Sequence, residues 1–241
     1  MEPCGRDDPG MDDRKKLTII QQQKADWKDN VLRSDSLPEG IPAYEFKVVK
    51  AQPVFRSQYL RKQIKSVTFL DTLSQMPADA WDVSEDGNRS VMAWVKPDGG
   101  LYDLYIGAEG GMRTGKSCKQ MFAGYVNLRR ITFGGVLHTE NTEDMSWLFT
   151  NCVCLNKLDL RCLDTTGVKD MRCMFYRCTS LAELDLSSFD TTGVKDMYGM
   201  FEYCRSLIEL DLSSFDTSGV QDMRYMFSFC PAGSKWQHLL H

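Results

Sequence analysis

The sequence predicts an α/β repeat fold, a solenoid of 26-residue units in which each unit adds one short strand and one short helix. Three observations predict it. Similar segments recur through the second half of the chain every 26 residues. Each segment joins an apolar stripe of helical spacing to an L-x-x-L-x-L pattern of strand type. Short β-type runs precede the first segment and supply a small N-terminal β cap. Together these features are typical of a leucine-rich-repeat solenoid.

The first segment, residues 1–63, carries little periodicity, and we expect a loosely ordered arm there. Its beginning, "MEPCGRDDPGMDDRKK", lacks the apolar core of about 7–15 residues that a secretory signal requires. No run in the sequence approaches the roughly 18 apolar residues of a membrane span. The formal net charge of -4 disfavours nucleic acid as a partner, because phosphates demand a basic surface.

Residues 64–112 form the predicted β cap. The runs "IKSVTFL", "SVMAWV" and "LYDLYI" have the composition of short strands, and "KPDGG" between the last two predicts a hairpin. Such a cap is physically required, because the open end of a solenoid exposes apolar surface and unpaired strand edges.

The repeat region, residues 113–230, carries three ladders of aligned residues. They are Asp144, Asp170, Asp196 and Asp222; Phe149, Phe175, Phe201 and Phe227; and Cys152, Cys178, Cys204 and Cys230. In the unit that begins at Asp196, "DMYGMFEYC" (196–204) places apolar residues at i, i+3, i+4 and i+7, which predicts a short helix with Asp196 as its N-cap. The following "SLIELDL" (206–212) predicts a strand.

The stretch "EGGMRTGKS" (109–117) contains the letters of a nucleotide-binding P-loop, namely Gly110, Gly115, Lys116 and Ser117. We interpret this match as a coincidence. The segment "SCKQMFAGYVNLRRITF" (117–133) aligns as a degenerate first repeat, in which Ser117 takes the place of the capping aspartate. No apolar run with a terminal aspartate follows to hold a magnesium ion, so we predict no nucleotide cofactor.

The last segment, residues 231–241, reads "PAGSKWQHLLH" and contains no further repeat. Trp236, Leu239 and Leu240 are candidates for an improvised cap over the last unit. The alternative, that the sequence belongs to a longer repeat protein and this segment is only a tail, stays open.

The sequence offers no catalytic residue or metal centre. Its nine cysteines include no C-x-x-C pair, and the imidazoles are limited to His138, His238 and His241. Zinc sites use paired ligands at short spacing, so the cysteine ladder is better explained as buried small thiols. We expect reduced thiols in the absence of a secretory signal, and oxidation of stacked neighbours about 5 Å apart stays open if the protein is exported. We therefore predict that the protein is not an enzyme.

The aspartates of the repeats fall into three ladders with different predicted roles. The first caps the helices; the second, Asp164, Asp190 and Asp216, makes side-chain-to-backbone turns. The third, Asp159, Asp185 and Asp211, has no evident local role and projects from the strands. With Glu183, Glu209, Lys157 and Arg161 it forms a predicted ligand-binding surface on the exposed strand face. A solvated polar face without a ligand is the alternative.

The units "SLAELDLSSFDTTGVKDMYGMFEYC" and "SLIELDLSSFDTSGVQDMRYMFSFC" resemble the repeats of BspA-like leucine-rich-repeat surface proteins of bacteria. The resemblance covers about residues 115–230. It implies a non-catalytic adhesion and protein-binding module with a protein or glycan ligand, often from a host. It also implies a cell-surface or secreted location, whereas the sequence shows neither a signal peptide nor an anchor, so a cytoplasmic location remains open.

Three functional hypotheses follow. The first is the surface binding module, acting through the exposed strand face. The second is an intracellular protein-interaction scaffold with the same chemistry and a different partner. The third is a P-loop nucleotide-binding protein. Export separates the first two, and binding of a magnesium nucleotide separates both from the third.

Overall fold

The computed structural model describes residues 30–33, 50–236 and 238. The strands are β1 (Val31–Leu32), β2 (Ile64–Leu70), β3 (Trp81–Asp82), β4 (Met92–Asp98), β5 (Leu101–Gly107), β6 (Met112–Thr114), β7 (Arg130–Thr132), β8 (Leu137–His138), β9 (Lys157–Asp159) and β10 (Glu183–Asp185). Two 3-10 helices span Arg61–Gln63 and Pro231–Lys235. Within these ranges no helix has the length and apolar character needed to cross a membrane.

The largest sheet has the strand order β3-β4-β5-β2-β7. Strands β4 and β5 pair antiparallel around Gly99 and Gly100, whose φ angles are 62° and 82°, which confirms the predicted hairpin. Strands β5, β2 and β7 run parallel. Because β7 belongs to the first repeat, the cap and the repeats share one sheet.

The structure also contains two smaller parallel sheets. One has the order β1-β6-β8, and the other pairs β9 with β10. Strand β9 lies beside β7, so the strands of successive repeats follow the cap sheet. Of the predicted arm 1–63, only residues 30–33 and 50–63 are among those described, and the segment boundaries given above stay predictions.

The predicted fold class, an α/β leucine-rich-repeat solenoid, is wrong. The described residues form β-sheets and contain no α-helix. Each predicted helix is instead a nine-residue series of tight turns, which we call a turn ribbon. The five turn ribbons are residues 117–125, 144–152, 170–178, 196–204 and 222–230.

Left-handed residues prevent these segments from forming helices. In every turn ribbon the fourth and eighth residues have φ between 53° and 76°. They are Gln120, Gly124, Trp147, Asn151, Cys173, Arg177, Gly199, Tyr203, Tyr225 and Phe229. Left-handed backbone costs a non-glycine residue roughly 1–2 kcal/mol, so surrounding contacts must hold it. The ribbon repeats every four residues, and the apolar residues at positions 2, 5, 6 and 9 give the same letter pattern as a helix of 3.6 residues per turn.

A one-way backbone ladder joins neighbouring turn ribbons. Alternate N–H groups donate to the next repeat, for example from Met145 to the Asp170 carbonyl at 2.9 Å and from Phe149 to the Met174 carbonyl at 2.9 Å. The intervening N–H groups close turns within the ribbon, as from Cys152 to the Phe149 carbonyl at 3.1 Å. Each ribbon therefore satisfies its main chain only when another ribbon follows it.

Buried threonines clamp the neighbouring repeats at a second point. The Thr165 hydroxyl donates to the Asp190 carbonyl at 3.0 Å and accepts the Asp190 N–H at 2.8 Å. The same two-way bond joins Thr139 to Asp164 and Thr191 to Asp216. All three threonines are buried, so these bonds are protected from water.

The core of the stack is a column of phenylalanines. Phe122, Phe149, Phe175, Phe201 and Phe227 stack face to face with ring centroids 5.6–5.7 Å apart. Phe69 of the cap meets the first ring edge-on at 6.3 Å. Aromatic pairs in this geometry contribute beyond the apolar area that they bury. The phenylalanine column therefore makes the hydrophobic core continuous from the cap to the last repeat.

At the other end, the predicted improvised cap is described only in part. The 3-10 helix Pro231–Lys235 packs on the last repeat, where Gly233 lies against the ring of Phe227. The Trp236 indole donates to the Leu210 carbonyl at 2.9 Å. Leu239 and Leu240 lie outside the described residues.

We predict that Phe175→Ala destabilises the chain by about 3–5 kcal/mol, because it removes the middle ring of the column and leaves a cavity between two neighbours. Equilibrium urea unfolding measures this change. Ile208→Ala is the matched control, since Ile208 is 69% exposed and its truncation should change the free energy of unfolding by about 0.5 kcal/mol or less. Equal losses in both variants would contradict the column.

Candidate functional site

The predicted ligand-binding residues lie together on one exposed face of the stack, which we call the strand face. Lys157 and Asp159 are on β9, Glu183 and Asp185 on β10, and Glu209 and Asp211 at the equivalent place in the next repeat. Arg161 follows β9 and is also exposed. Lys157 pairs with Glu183, and Arg161 binds Asp159 through two hydrogen bonds of 3.0 and 2.7 Å. Much of the charge on this face is therefore neutralised within the face.

The expectation that the strand-face aspartates lack a local role is wrong. The Asp159 carboxylate accepts the Arg161 N–H at 3.2 Å. In the same way Asp185 accepts from Ser187 at 3.0 Å and Asp211 from Ser213 at 2.9 Å. Each carboxylate closes an Asx turn as the chain leaves the strand. Their recurrence thus has a structural explanation that does not require a ligand.

The other two aspartate ladders make the same turn. Asp170 accepts the Arg172 N–H at 3.0 Å, so the first ladder begins turn ribbons and does not cap helices as predicted. Asp190 accepts the Thr192 N–H at 2.9 Å, which confirms the predicted turns of the second ladder. Three Asx turns per repeat therefore set the corners of the chain.

These hydrogen bonds shift the acidity of the carboxyls. The guanidinium of Arg161 lowers the pKa of Asp159, and the Ser187 hydroxyl lowers the pKa of Asp185. Bonds from Thr192 and Ser218 likewise lower the pKa of Asp190 and Asp216. Burial acts in the opposite direction on two other groups, raising the pKa of Asp196 and of Glu202.

We predict that the stability of the chain falls as the pH drops below about 4, close to the ordinary aspartate pKa of 3.8. A carboxyl whose pKa is lowered by folding stabilises the folded chain above its unfolded pKa, and this contribution is lost as the pH falls through the folded pKa. The double variant Asp190→Asn and Asp216→Asn keeps the turn-closing oxygens and should lose less thermal stability between pH 5 and about 2.5. An unchanged pH profile would contradict this role.

The cysteine ladder lies inside the stack. The thiols of Cys152, Cys178 and Cys204 each donate at 3.1 Å to the phenylalanine carbonyl of the preceding repeat. Burial raises the pKa of all three thiols, so they stay protonated donors. Seven described cysteines, the ladder among them, are free thiols. Cys162 is disulfide-bonded, so the expectation of reduced cysteines is wrong at this residue.

We predict a sharp difference in thiol reactivity between Cys154 and the ladder. Cys154 is exposed and should react rapidly with iodoacetamide in the native chain, while Cys152, Cys178 and Cys204 should react only after denaturation. Peptide mass spectrometry after timed labelling distinguishes them within one sample. Labelling of a ladder thiol at the rate of Cys154 would show that the repeats open readily.

The P-loop letters do not have the geometry of a phosphate-binding loop. Met112–Thr114 within them is strand β6, held between β1 and β8, and a turn ribbon follows where a P-loop has a helix. Ser117 caps no helix; its hydroxyl accepts the Lys119 N–H at 3.2 Å. Lys116 pairs with Glu143 at 3.3 Å.

A second surface, which the sequence analysis missed, runs along the turn ribbons. We call it the turn face. Trp147, Tyr176, Tyr203 and Phe229 form a continuous aromatic ridge with centroid distances of 5.9, 5.9 and 4.6 Å. Tyr198 and Tyr225 form a second pair at 5.5 Å. Phe229 is 66% exposed and Tyr225 57% exposed, and these are unusually large apolar side chains to present to water.

Two arginines flank the aromatic ridge. The guanidiniums of Arg177 and Arg205 lie 6.0 and 5.5 Å from the centre of the Tyr203 ring. With Tyr176 and Thr179 these side chains line a cleft of about 260 Å³. The cleft combines aromatic faces, cationic groups and a hydroxyl, so it can accept a side chain or sugar ring that carries an acceptor or a negative charge.

A sequence signal for the turn face was present in the repeat alignment. Positions seven and eight of the turn ribbons, which lie off the apolar stripe, contain Tyr176, Arg177, Tyr203 and Phe229. Ordinary solvated positions favour lysine and glutamate, so tyrosine, phenylalanine and arginine at these places indicate a contact surface.

A model of the family described as "Mycoplasma protein of unknown function, DUF285" matches residues 116–237, which is half of the chain. The chain belongs to this family. The match begins at the first turn ribbon and ends after the last, so the DUF285 region coincides with the repeat stack and contains both the strand face and the turn face. No curated protein and no solved structure matches the chain.

Proposed function

We propose that this chain is a non-catalytic protein-binding module that holds its ligand on the turn face. The aromatic ridge with its flanking arginines is the observation that carries the proposal. Tyrosine, tryptophan and arginine supply most of the binding energy at protein interfaces, and here they form one continuous surface. Their backbone is fixed by the inter-repeat ladder, so little conformational entropy is lost when a ligand binds.

The adhesive role of the module rests on family evidence. DUF285 membership places the repeats in a family described from Mycoplasma, and the repeat letters resemble those of BspA-like bacterial surface proteins. Both support a module displayed at the surface of a bacterial cell, with a protein or glycan ligand that includes host components. An intracellular scaffold uses the same surface with another partner and is separated by location alone.

The strand face is the second candidate surface. Glu209 and Asp211 support it, because neither makes an ion pair with a lysine or arginine in the part of the chain that the structure describes, whereas Asp159 and Glu183 do. A ligand held there would be basic. The turn face is favoured because the strand face is built from charged side chains that are costly to desolvate.

We predict that Tyr203→Ala combined with Arg205→Ala weakens ligand binding at least tenfold, because it removes the central ring of the aromatic ridge and one of its cations. Biolayer interferometry against extracellular matrix proteins and a glycan array measures binding of the whole chain. The matched control, Glu209→Gln with Asp211→Asn, neutralises the strand face and should bind as the unaltered chain does. If the strand-face variant loses binding and the Tyr203 and Arg205 variant does not, the ligand contacts the strand face instead.

Location is tested by protease shaving of intact native cells followed by mass spectrometry for peptides from residues 144–230. Recovery of these peptides while cytosolic marker proteins stay intact supports the surface module. Recovery only after lysis contradicts it and favours the intracellular scaffold, whose partners would then be captured with the same turn-face and strand-face variants.

A further inference from the structure

Guanidinium groups from two successive repeats meet at one ring of the turn face. Arg177 is the eighth residue of its turn ribbon, and Arg205 directly follows the next ribbon. The two guanidiniums lie 6.0 and 5.5 Å from the centre of the Tyr203 ring, and they line the cleft together with Tyr176 and Thr179. Arg177 is half-buried and Arg205 is exposed. The cleft therefore presents two positive charges beside aromatic rings.

The positive charge of Arg205 is available to a ligand. Arg205 makes no ion pair in the part of the chain that the structure describes. Glu202, the acidic residue closest to it in sequence, makes none there either, and burial alone raises the pKa of its carboxyl. On the strand face, by contrast, Lys157 and Arg161 are paired within the face. The cleft is thus a cationic site on a chain whose formal net charge is -4.

The size and the rings of the cleft limit what can enter it. Its volume of about 260 Å³ lies below the range of about 300–1,000 Å³ that is typical of small-molecule pockets, so it can hold one side chain or one sugar. A sugar ring packs against an open aromatic face. The Tyr203 ring instead has Phe229 nearly parallel to it at 4.6 Å and Tyr176 nearly perpendicular to it at 5.9 Å. The arginines are therefore the groups that a ligand engages, and they favour a carboxylate.

We propose that the cleft recognises an aspartate or glutamate side chain of a partner protein, carried on an extended segment with an apolar residue two positions away. This rests on the function proposed above for the turn face and names the chemistry of its ligand. The carboxylate accepts N–H groups of Arg177 and Arg205 in charge-assisted hydrogen bonds. A guanidinium has five N–H donors, so Arg177 can bind a carboxylate and keep its contacts within the chain.

The aromatic ridge beyond the cleft accounts for the apolar residue of the segment. Phe229 lies beside Tyr203 on the ridge and is 66% exposed. In an extended chain the side chains of residues i and i+2 point to the same side and lie about 6.6 Å apart. An apolar side chain two positions from the acidic residue can therefore cover Phe229 while the carboxylate occupies the cleft. A densely charged polyanion makes no use of this ring and is repelled by an acidic chain.

The test is an NMR titration of the full chain, labelled with 15N, with the acetylated and amidated peptide Gly-Asp-Gly-Phe-Gly. We expect saturable shifts of the Tyr203 and Phe229 amide signals and of the Arg205 side-chain Nε–H signal. The matched peptide with Asn in place of Asp should bind at least tenfold more weakly, because it lacks the charge. Equal affinity of the two peptides, or no saturable shift at millimolar peptide, overturns the proposal.

Removal of one cation at a time provides the matched variants. Arg205→Gln should weaken binding of the Asp peptide at least tenfold and leave binding of the Asn peptide unchanged. Lys195→Gln removes the same charge at an exposed position outside the cleft and should change neither affinity. Both residues are exposed, so both variants should keep the thermal stability of the unaltered chain. Equal effects of the two substitutions on the Asp peptide contradict recognition at the cleft.

A second probe separates a protein segment from an acidic glycan. Glucuronic acid carries a carboxylate on a sugar ring, and binding that equals or exceeds that of the Asp peptide overturns the choice of a protein segment. The function proposed for the turn face fails separately. If the Tyr203 and Arg205 double variant loses its ligand while the Asp peptide does not bind, only the acidic recognition is wrong. If that variant keeps its ligand while the peptide binds the cleft, only the proposed function is wrong.

Discussion

The alternation of N–H groups along each turn ribbon is the constraint on which the repeat stack depends. One amide closes a turn inside the ribbon and the next bonds to the following repeat, so the two sets alternate along the chain. Left-handed residues at the fourth and eighth positions make this alternation possible, because they turn the chain before a helical hydrogen bond can form. The stack is a sheet-like assembly built from turns, and its stability comes from contacts between neighbours.

The buried polar groups follow from the same constraint. Equivalent main-chain carbonyls recur at the same position in every repeat. One small donor side chain per repeat can therefore bond to them throughout the stack. The cysteine thiols do so at the phenylalanine carbonyls, and the buried threonines do so at the aspartate carbonyls. A larger side chain at either position would separate the repeats and break the ladder, so the two residue types recur for reasons of space and hydrogen bonding.

The sequence predicted the repeat, its register and its core, since period and burial depend on side chains that can be counted. The hairpin of β4 and β5 could also be predicted from the sequence, because Gly99 and Gly100 mark its turn. The helices were wrong for a physical reason: apolar residues at positions 2, 5, 6 and 9 of the turn ribbon fit a period of four as well as one of 3.6. Only the backbone angles of residues such as Trp147 and Tyr203 separate the two, and side-chain hydrophobicity does not encode them.

The wrong helix prediction also explains why the sequence analysis chose the strand face, whereas the proposed binding surface is the turn face. On a helix the residues between the apolar positions spread around a cylinder and carry no common face. On a flat turn ribbon they align from one repeat to the next, and this alignment gathers Tyr176, Tyr203 and Phe229 into one ridge. The strand-face aspartates have a structural role that does not require a ligand, because each one closes a turn of the chain. A repeated residue indicates function only where its side chain has no bond to make within its own repeat, and in this chain the aromatic ridge meets that condition better than the acidic ladders do.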